Sequence, residues 1–145
     1  MRTINGTIFN VKVKVGRPTG DGLVKSQAEE YAVKAESFTD CEAKITQEVG
    51  SADNVKGGFD VLAEAVAPYK EVYLFDEGDI FYKVKITETT LDEYSAKEKK
   101  TSYCYLLNAT SFEQARKNIV EALGNTMSDY AIAAVIEQKI LEVIE

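Results

Sequence analysis

The sequence contains no histidine and no tryptophan, and it has only two prolines and two cysteines in 145 residues. Without histidine there is no Ser-His or Cys-His dyad and no imidazole metal ligand, which removes the commonest nucleophilic and zinc-based arrangements. The two cysteines, Cys41 and Cys104, are isolated thiols; with no export signal they fit a reducing compartment better than a disulfide framework. No apolar run approaches the roughly 18 residues that cross a bilayer. Met1 to Phe9 has no apolar core of signal-peptide length. Basic charge is scarce too: 17 Lys and Arg against 24 Asp and Glu leave a net charge of -7, contrary to the basic footprint of a double-stranded DNA binder. The expectation is a cytoplasmic chain with no membrane segment and no cofactor. Asn5-Gly6-Thr7 and Asn108-Ala109-Thr110 match the glycosylation sequon, which a cytosolic chain does not use.

What is present is a globular composition, 45% hydrophobic and 28% charged, with apolar periodicity of two kinds. Tyr31-Ala32-Val33-Lys34-Ala35-Glu36-Ser37-Phe38 returns as Tyr105-Leu106-Leu107-Asn108-Ala109-Thr110-Ser111-Phe112, sharing Tyr, Ala, Ser and Phe. Phe9 to Val13 resembles Phe81 to Lys85, and Phe59 to Tyr73 is weakly echoed by Tyr130 to Ile144. Each unit reads strand, strand, helix, strand. Phe9, Val11, Val13 and Val15 alternate with polar residues, as do Ile80, Tyr82, Val84 and Ile86, so both segments predict half-buried strands. Phe38, Cys41, Ile45 and Val49 then switch to helical spacing, and Phe112, Ala115, Ile119 and Leu123 repeat it. Ser37 and Ser111 stand where an N-cap is needed, and Gly50 and Gly124 stand where the helices stop. Ile132, Ile136, Ile140 and Ile144 suit a helix or a strand; the echo of Phe59 to Tyr73, which contains Pro68, favours a strand. The expected fold is α+β: one domain of two pseudo-repeats, about 1–77 and 78–145, with about six strands in a mixed sheet and two helices on one face. A second copy of the chain would cover the other face, giving a homo-oligomer.

The motifs carry little chemistry. Gly16-Arg17-Pro18-Thr19-Gly20-Asp21-Gly22 lacks the spacing and the Lys-Ser/Thr pair of a P-loop, and a strand rather than a helix follows it. Asp76-Glu77-Gly78-Asp79 gathers carboxylates that suit a hard cation, yet it lacks the ladder of a calcium loop and reads as a turn. An enzyme built on these carboxylates, such as a metal-assisted hydrolase, ranks last for want of a nucleophile or an oxyanion donor nearby. Lys97-Glu98-Lys99-Lys100 is the basic cluster, flanked by Tyr94, Tyr103 and Tyr105. Cations beside aromatics can bind anions or stack bases, whereas lysines on a hairpin end also discourage edge-to-edge association. The candidate ligand- or partner-binding residues are therefore Arg17, Tyr94, Lys97, Lys99, Lys100, Tyr103 and Tyr105.

Four stretches resemble an uncharacterised domain family of short acidic proteins from Bacteroidota and their phages or mobile elements. They are Phe75-Asp76-Glu77-Gly78-Asp79 with Phe81 to Lys85, Thr90-Leu91-Asp92-Glu93, Lys97 to Thr101, and Gly124 to Tyr130. The N-terminal segment departs from that family in lacking a Trp-rich start. The resemblance supplies no functional residues; it implies a phage or mobile-element setting in the cytoplasm of a bacterial host. With the absent catalytic groups, it points to a non-enzymatic binding protein acting on a bacterial host protein or a small nucleotide, one form being an anti-defence nucleotide sponge. The alternatives are a single-stranded nucleic-acid-binding accessory protein of replication or transcription, and a virion or assembly component.

Overall fold

The computed structural model describes residues 1–127 and 129–145; Ser128, inside the Gly124 to Tyr130 stretch, lies outside the described residues. The alternating segments form strands and the 3.6-period segments form helices, giving an α+β chain. Its strands are β1 (Arg2–Ile4), β2 (Ile8–Pro18), β3 (Val24–Lys34), β4 (Phe59–Val66), β5 (Tyr69–Leu74), β6 (Ile80–Leu91), β7 (Glu98–Ala109), β8 (Tyr130–Gln138) and β9 (Ile140–Ile144). Its helices are α1 (Phe38–Ile45), continued by one π-helical turn at Thr46–Gly50, and α2 (Phe112–Leu123).

The expected sheet of about six strands is corrected to nine strands in two sheets among the described residues, ordered β4-β2-β3-β9 and β1-β5-β7-β6-β8. Alternation marks a segment as a strand but does not choose its partner. The segment 59–73 breaks at Ala67-Pro68, where proline has no N–H to donate to a ladder. β4 pairs with β2, while β5 pairs parallel with β7. The segment 130–144 breaks likewise at Lys139: β8 pairs with β6 and β9 pairs parallel with β3. The chain thus forms two compact units, Gly6–Ala67 with Lys139–Glu145, and Met1–Asn5 with Pro68–Gln138. The strand-strand-helix-strand segments are therefore not what packs as a body; each unit also takes in strands from outside its segment. The strand after each helix is separated from the strand before it by one intervening strand, β2 in one unit and β6 in the other.

One helix covers one face of each sheet. In the first unit Cys41, Ile45 and Val49 pack on Phe9, Val11, Val13, Val15, Tyr31 and Val33. In the second, Ala115, Ile119 and Leu123 pack on Tyr82, Val84, Ile86, Tyr105 and Leu107. Phe38 and Phe112 head the two stripes yet are about half exposed. Each stacks edge-on against a sheet aromatic, Phe38 on Phe9 at 5.0 Å and Phe112 on Tyr82 at 4.9 Å.

The caps form as the serines require. Ser37 Oγ accepts from the Asp40 N–H and Ser111 Oγ from the Gln114 N–H, each at 3.1 Å. Asp40 also accepts from the Glu36 N–H at 3.0 Å. Gln114 does not close a reciprocal box; its side-chain amide donates to Asn118 Oδ1 at 2.8 Å. Replacing Ser111 with Ala leaves one N–H of the first turn without its cap, so urea unfolding should show a loss of about 1 kcal/mol. An unchanged midpoint would mean that water caps that turn equally well.

Candidate functional site

Arg17 lies at the end of β2 and is already engaged. Continuing the β2 alternation past Val15 places it on the helix-covered face, where Gln27, Glu29 and Tyr31 of β3 also project. Glu29 is only 6% exposed. Its carboxylate accepts from Arg17 Nη2 at 2.7 Å and Arg17 Nε at 3.2 Å, a two-pronged pairing of guanidinium and carboxylate. Gln27 Nε2 donates to it at 2.6 Å and the Tyr31 hydroxyl at 2.7 Å. Arg17 Nη1 donates onward to Asn54 Oδ1 at 2.7 Å. Burial alone would raise the Glu29 pKa, but the hydrogen bonds from Arg17, Gln27 and Tyr31 together with the Arg17 charge overcome it and hold the group at about 2. Burial and the bond to Glu29 keep the Tyr31 phenol protonated far above its usual range. Arg17 is thus committed to a carboxylate of its own unit.

The other six candidates belong to the unit containing β6 and β7. These strands pair from Ile80↔Ala109 out to Leu91↔Glu98, forming a long antiparallel ribbon. Asp92 organises its end. Its carboxylate accepts from the Tyr94 N–H at 2.9 Å and the Ser95 N–H at 3.4 Å, and its backbone accepts from the Ala96 N–H at 2.9 Å. Ala96 sits at φ 56, a left-handed conformation that a side chain rarely adopts. The two N–H bonds also lower the Asp92 pKa. Held this way, the Tyr94 side chain is fully exposed and Leu91 is 67% exposed. Lys97 and Lys99 are exposed beside them, and so is Lys100. Successive strand residues face opposite ways, so Lys99 and Lys100 point to opposite faces of the ribbon and do not converge on one anion. The ten residues Leu91 to Lys100 also carry three carboxylates, Asp92, Glu93 and Glu98, against three lysines.

Tyr103 and Tyr105 lie further down β7, away from the ribbon end. The Lys70 ammonium sits 4.1 Å from the Tyr103 ring centroid, a cation–π contact. Tyr105 is 1% exposed and stacks on Tyr73 at 5.5 Å with 20° between the rings. Tyr73 and Tyr105 border a cavity of about 240 Å³, together with Lys70 and Glu71 of β5, Glu88 of β6 and Thr126 after α2. Burial, then the Glu71 carboxylate, push the Tyr73 phenol far up. Burial, then the charges of Glu71, Tyr103 and Glu88, push Tyr105 up to about 12. The candidates therefore divide among the Arg17–Glu29 pair, the ribbon end, the Lys70–Tyr103 contact and this cavity, which Tyr105 borders. Glu71, Tyr73 and Glu88 were not among the expected residues. Glu71 and Tyr73 share a face by simple alternation, but only the parallel pairing of β5 with β7 brings them beside Tyr105.

The acidic turn Asp76-Glu77-Gly78-Asp79 joins β5 to β6 and is held from within. Asn108, 7% exposed, accepts from the Phe75 N–H at 2.7 Å and donates to the carbonyls of Phe75 and Gly78, both at 2.9 Å. Gly78 has φ 120, and a Cβ there would lie 2.4 Å from the Ala109 backbone, so only glycine fits. No group of three or more His, Cys, Asp or Glu among the described residues is placed to hold a metal ion. Cys41 is buried and Cys104 half-buried, and both are free thiols. Burial and then the nearby Glu64, Glu42 and Asp40 raise the Cys41 thiol to about 11, which keeps it protonated and poorly nucleophilic. Among the described residues no helix is long and apolar enough to cross a membrane.

Residues 7–145 match the family described as a domain of unknown function, DUF4494, and the chain belongs to that family. No curated protein and no solved structure matches it.

Proposed function

We propose that the chain is a non-enzymatic binding protein that engages a protein of a bacterial host through the end of the β6–β7 ribbon. The observation that carries this reading is Tyr94, held fully exposed by a turn that Asp92 pre-orders. A large exposed aromatic on a pre-ordered support is a common anchor at protein interfaces, because little freedom is lost when it binds. Balanced charge and diverging lysines at the ribbon end favour a protein over a phosphate-rich ligand, which argues against the sponge and single-strand forms of the reading. The buried Cys41 thiol is held protonated and poorly nucleophilic, in keeping with a non-enzymatic reading. The phage or mobile-element setting implied by the resemblance supplies the host.

The test is purification of the chain from its bacterial host, followed by native mass spectrometry of wild type, Tyr94→Ala and Lys99→Glu/Lys100→Glu. A polypeptide that accompanies the wild type should fall at least about tenfold with Tyr94→Ala, as for a hot-spot anchor, while the thermal midpoint stays unchanged. Retention of that polypeptide by both variants would overturn the placement. A bound mass of nucleotide size would overturn the choice of a protein partner.

A further inference from the structure

We infer that the free edge of β3, over Val24–Glu29, takes an extended peptide that adds as a strand parallel to β3 and ends there in a free C-terminal carboxylate. The site lies within the unit containing β2, β3, β4 and β9, and it does not rest on the ribbon end. β3 pairs with β2 along its whole length, from Val24 to Lys34. On its other edge β9 pairs only from Glu30 to Val33. Among the described residues β3 has no third neighbour in the sheet, so Val24 to Glu29 present backbone N–H and C=O groups with no strand beside them. Such an edge is a template for one more strand.

There is room for that strand. A cavity of about 570 Å³ opens against the edge, bordered by Gln27, Ala28 and Glu30 of β3, Lys12 of β2, and Lys139 and Leu141 at the start of β9. That volume falls within the roughly 300–1,000 Å³ of ligand-holding clefts. One end is closed, because β9 begins at Ile140 opposite Glu30 and fills the next place in the sheet. A chain running on would have to leave the sheet at that point, whereas a chain that terminates there needs no turn. Charge then chooses the terminus. Glu29 is neutralised by Arg17, and Lys12 stands opposite Glu30 in register, which leaves the Lys139 ammonium in excess. An ammonium attracts a carboxylate and repels the α-amino group of a chain start. A C-terminus at the Glu30 end fixes the direction: the peptide runs parallel to β3, as β9 does. Ala28 is exposed and Leu141 is 56% exposed, and together they give the cavity an apolar wall that suits an apolar last side chain.

The test is a pool of N-acetylated hexapeptides with random side chains, offered to the full chain once as free C-terminal acids and once as C-terminal amides. Free acids with an apolar last residue are expected to be retained, and their amides to bind at least about tenfold less tightly. Lys139→Glu, at an exposed position, should weaken the strongest free acid at least about tenfold while the thermal midpoint stays unchanged. Amide exchange followed by NMR separates strand addition from simple charge pairing. The strongest free acid should slow alternate amides between Val24 and Glu29, because only every second N–H faces the new strand. A pool from which no free acid is retained would overturn the site. So would equal retention of the amides, undiminished binding to Lys139→Glu, or protection that falls on Leu91–Lys100 instead. Self-association that protects the same amides without peptide would put a second copy on this edge and overturn the choice of partner.

Discussion

Arg17→Ala should lower the unfolding free energy by about 3 kcal/mol, the lower end of the cost of breaking a buried ion pair. The lower end applies because the Arg17 side chain keeps 19% exposure while Glu29 keeps 5%. The loss comes from what remains: a carboxylate buried among β2 and β3 with only Gln27 and Tyr31 as donors. Replacing both partners, as Arg17→Met/Glu29→Leu, should return most of the stability, since no buried charge is then left behind. The same network sets an acid dependence. Glu29 titrates at about 2 in the folded chain against an ordinary 4.5. A lowered folded pKa means the folded state holds its proton less tightly, so the contribution is complete above about pH 4.5 and is lost as pH falls towards 2. Its size at neutral pH is about 3 kcal/mol by linkage, describing the same network and not adding to the mutational figure. Urea unfolding at pH 7 and pH 3 should therefore show a steep loss in wild type and a flatter one in Arg17→Ala. Equal pH dependence in the two proteins would rule out this account.

Asn108→Ala should be nearly as damaging, by about 3 kcal/mol. Three hydrogen bonds of one buried side chain disappear, and the Phe75 N–H and the carbonyls of Phe75 and Gly78 lose their partner together. Asn118 still donates to the Asn108 carbonyl at 3.0 Å, so the α2 side of the strand is spared. The damage should be local before it is global: amide exchange of Phe75 should accelerate far more than that of Val84 in the core. Uniform acceleration, or none, would mean that the acidic turn does not depend on this asparagine.

The helices were the most legible part of the chain, since stripe, cap and stop all agreed. Ser37 and Ser111 cap the helices they were expected to cap, and Gly124 ends α2 with a positive φ of 51. The strands over 59–73 and 130–144 were legible as strands, but not their interruptions at Ala67-Pro68 and Lys139, which send consecutive strands into different sheets. β1, three residues long, is too short to show any period. The single mixed sheet failed for that reason: pairing over long sequence distances leaves no local mark. Of the candidate site, the exposure of Tyr94 and the lysines at a hairpin end was legible, whereas the engagement of Arg17 was not. Its register partner on β3 is Lys25, and the guanidinium instead reaches along the sheet to Glu29. A charged residue continuing an apolar alternation was the signal available, and Glu29 carried it as well.

The exchange of end strands bears on how the chain is made. β2, β3, α1 and β4 leave the ribosome long before Ile140–Ile144, so the edge of β3 stays open while the intervening residues are made. Arg2–Ile4 emerges before β5 and waits for it to complete their pairing. Neither unit can be completed from one contiguous stretch, and a nascent chain halted near residue 77 presents an unsatisfied parallel edge, the kind of surface that pairs with other chains. The sheet built on β2 and β3 is therefore complete only once the five-residue strand Ile140–Ile144 has been made.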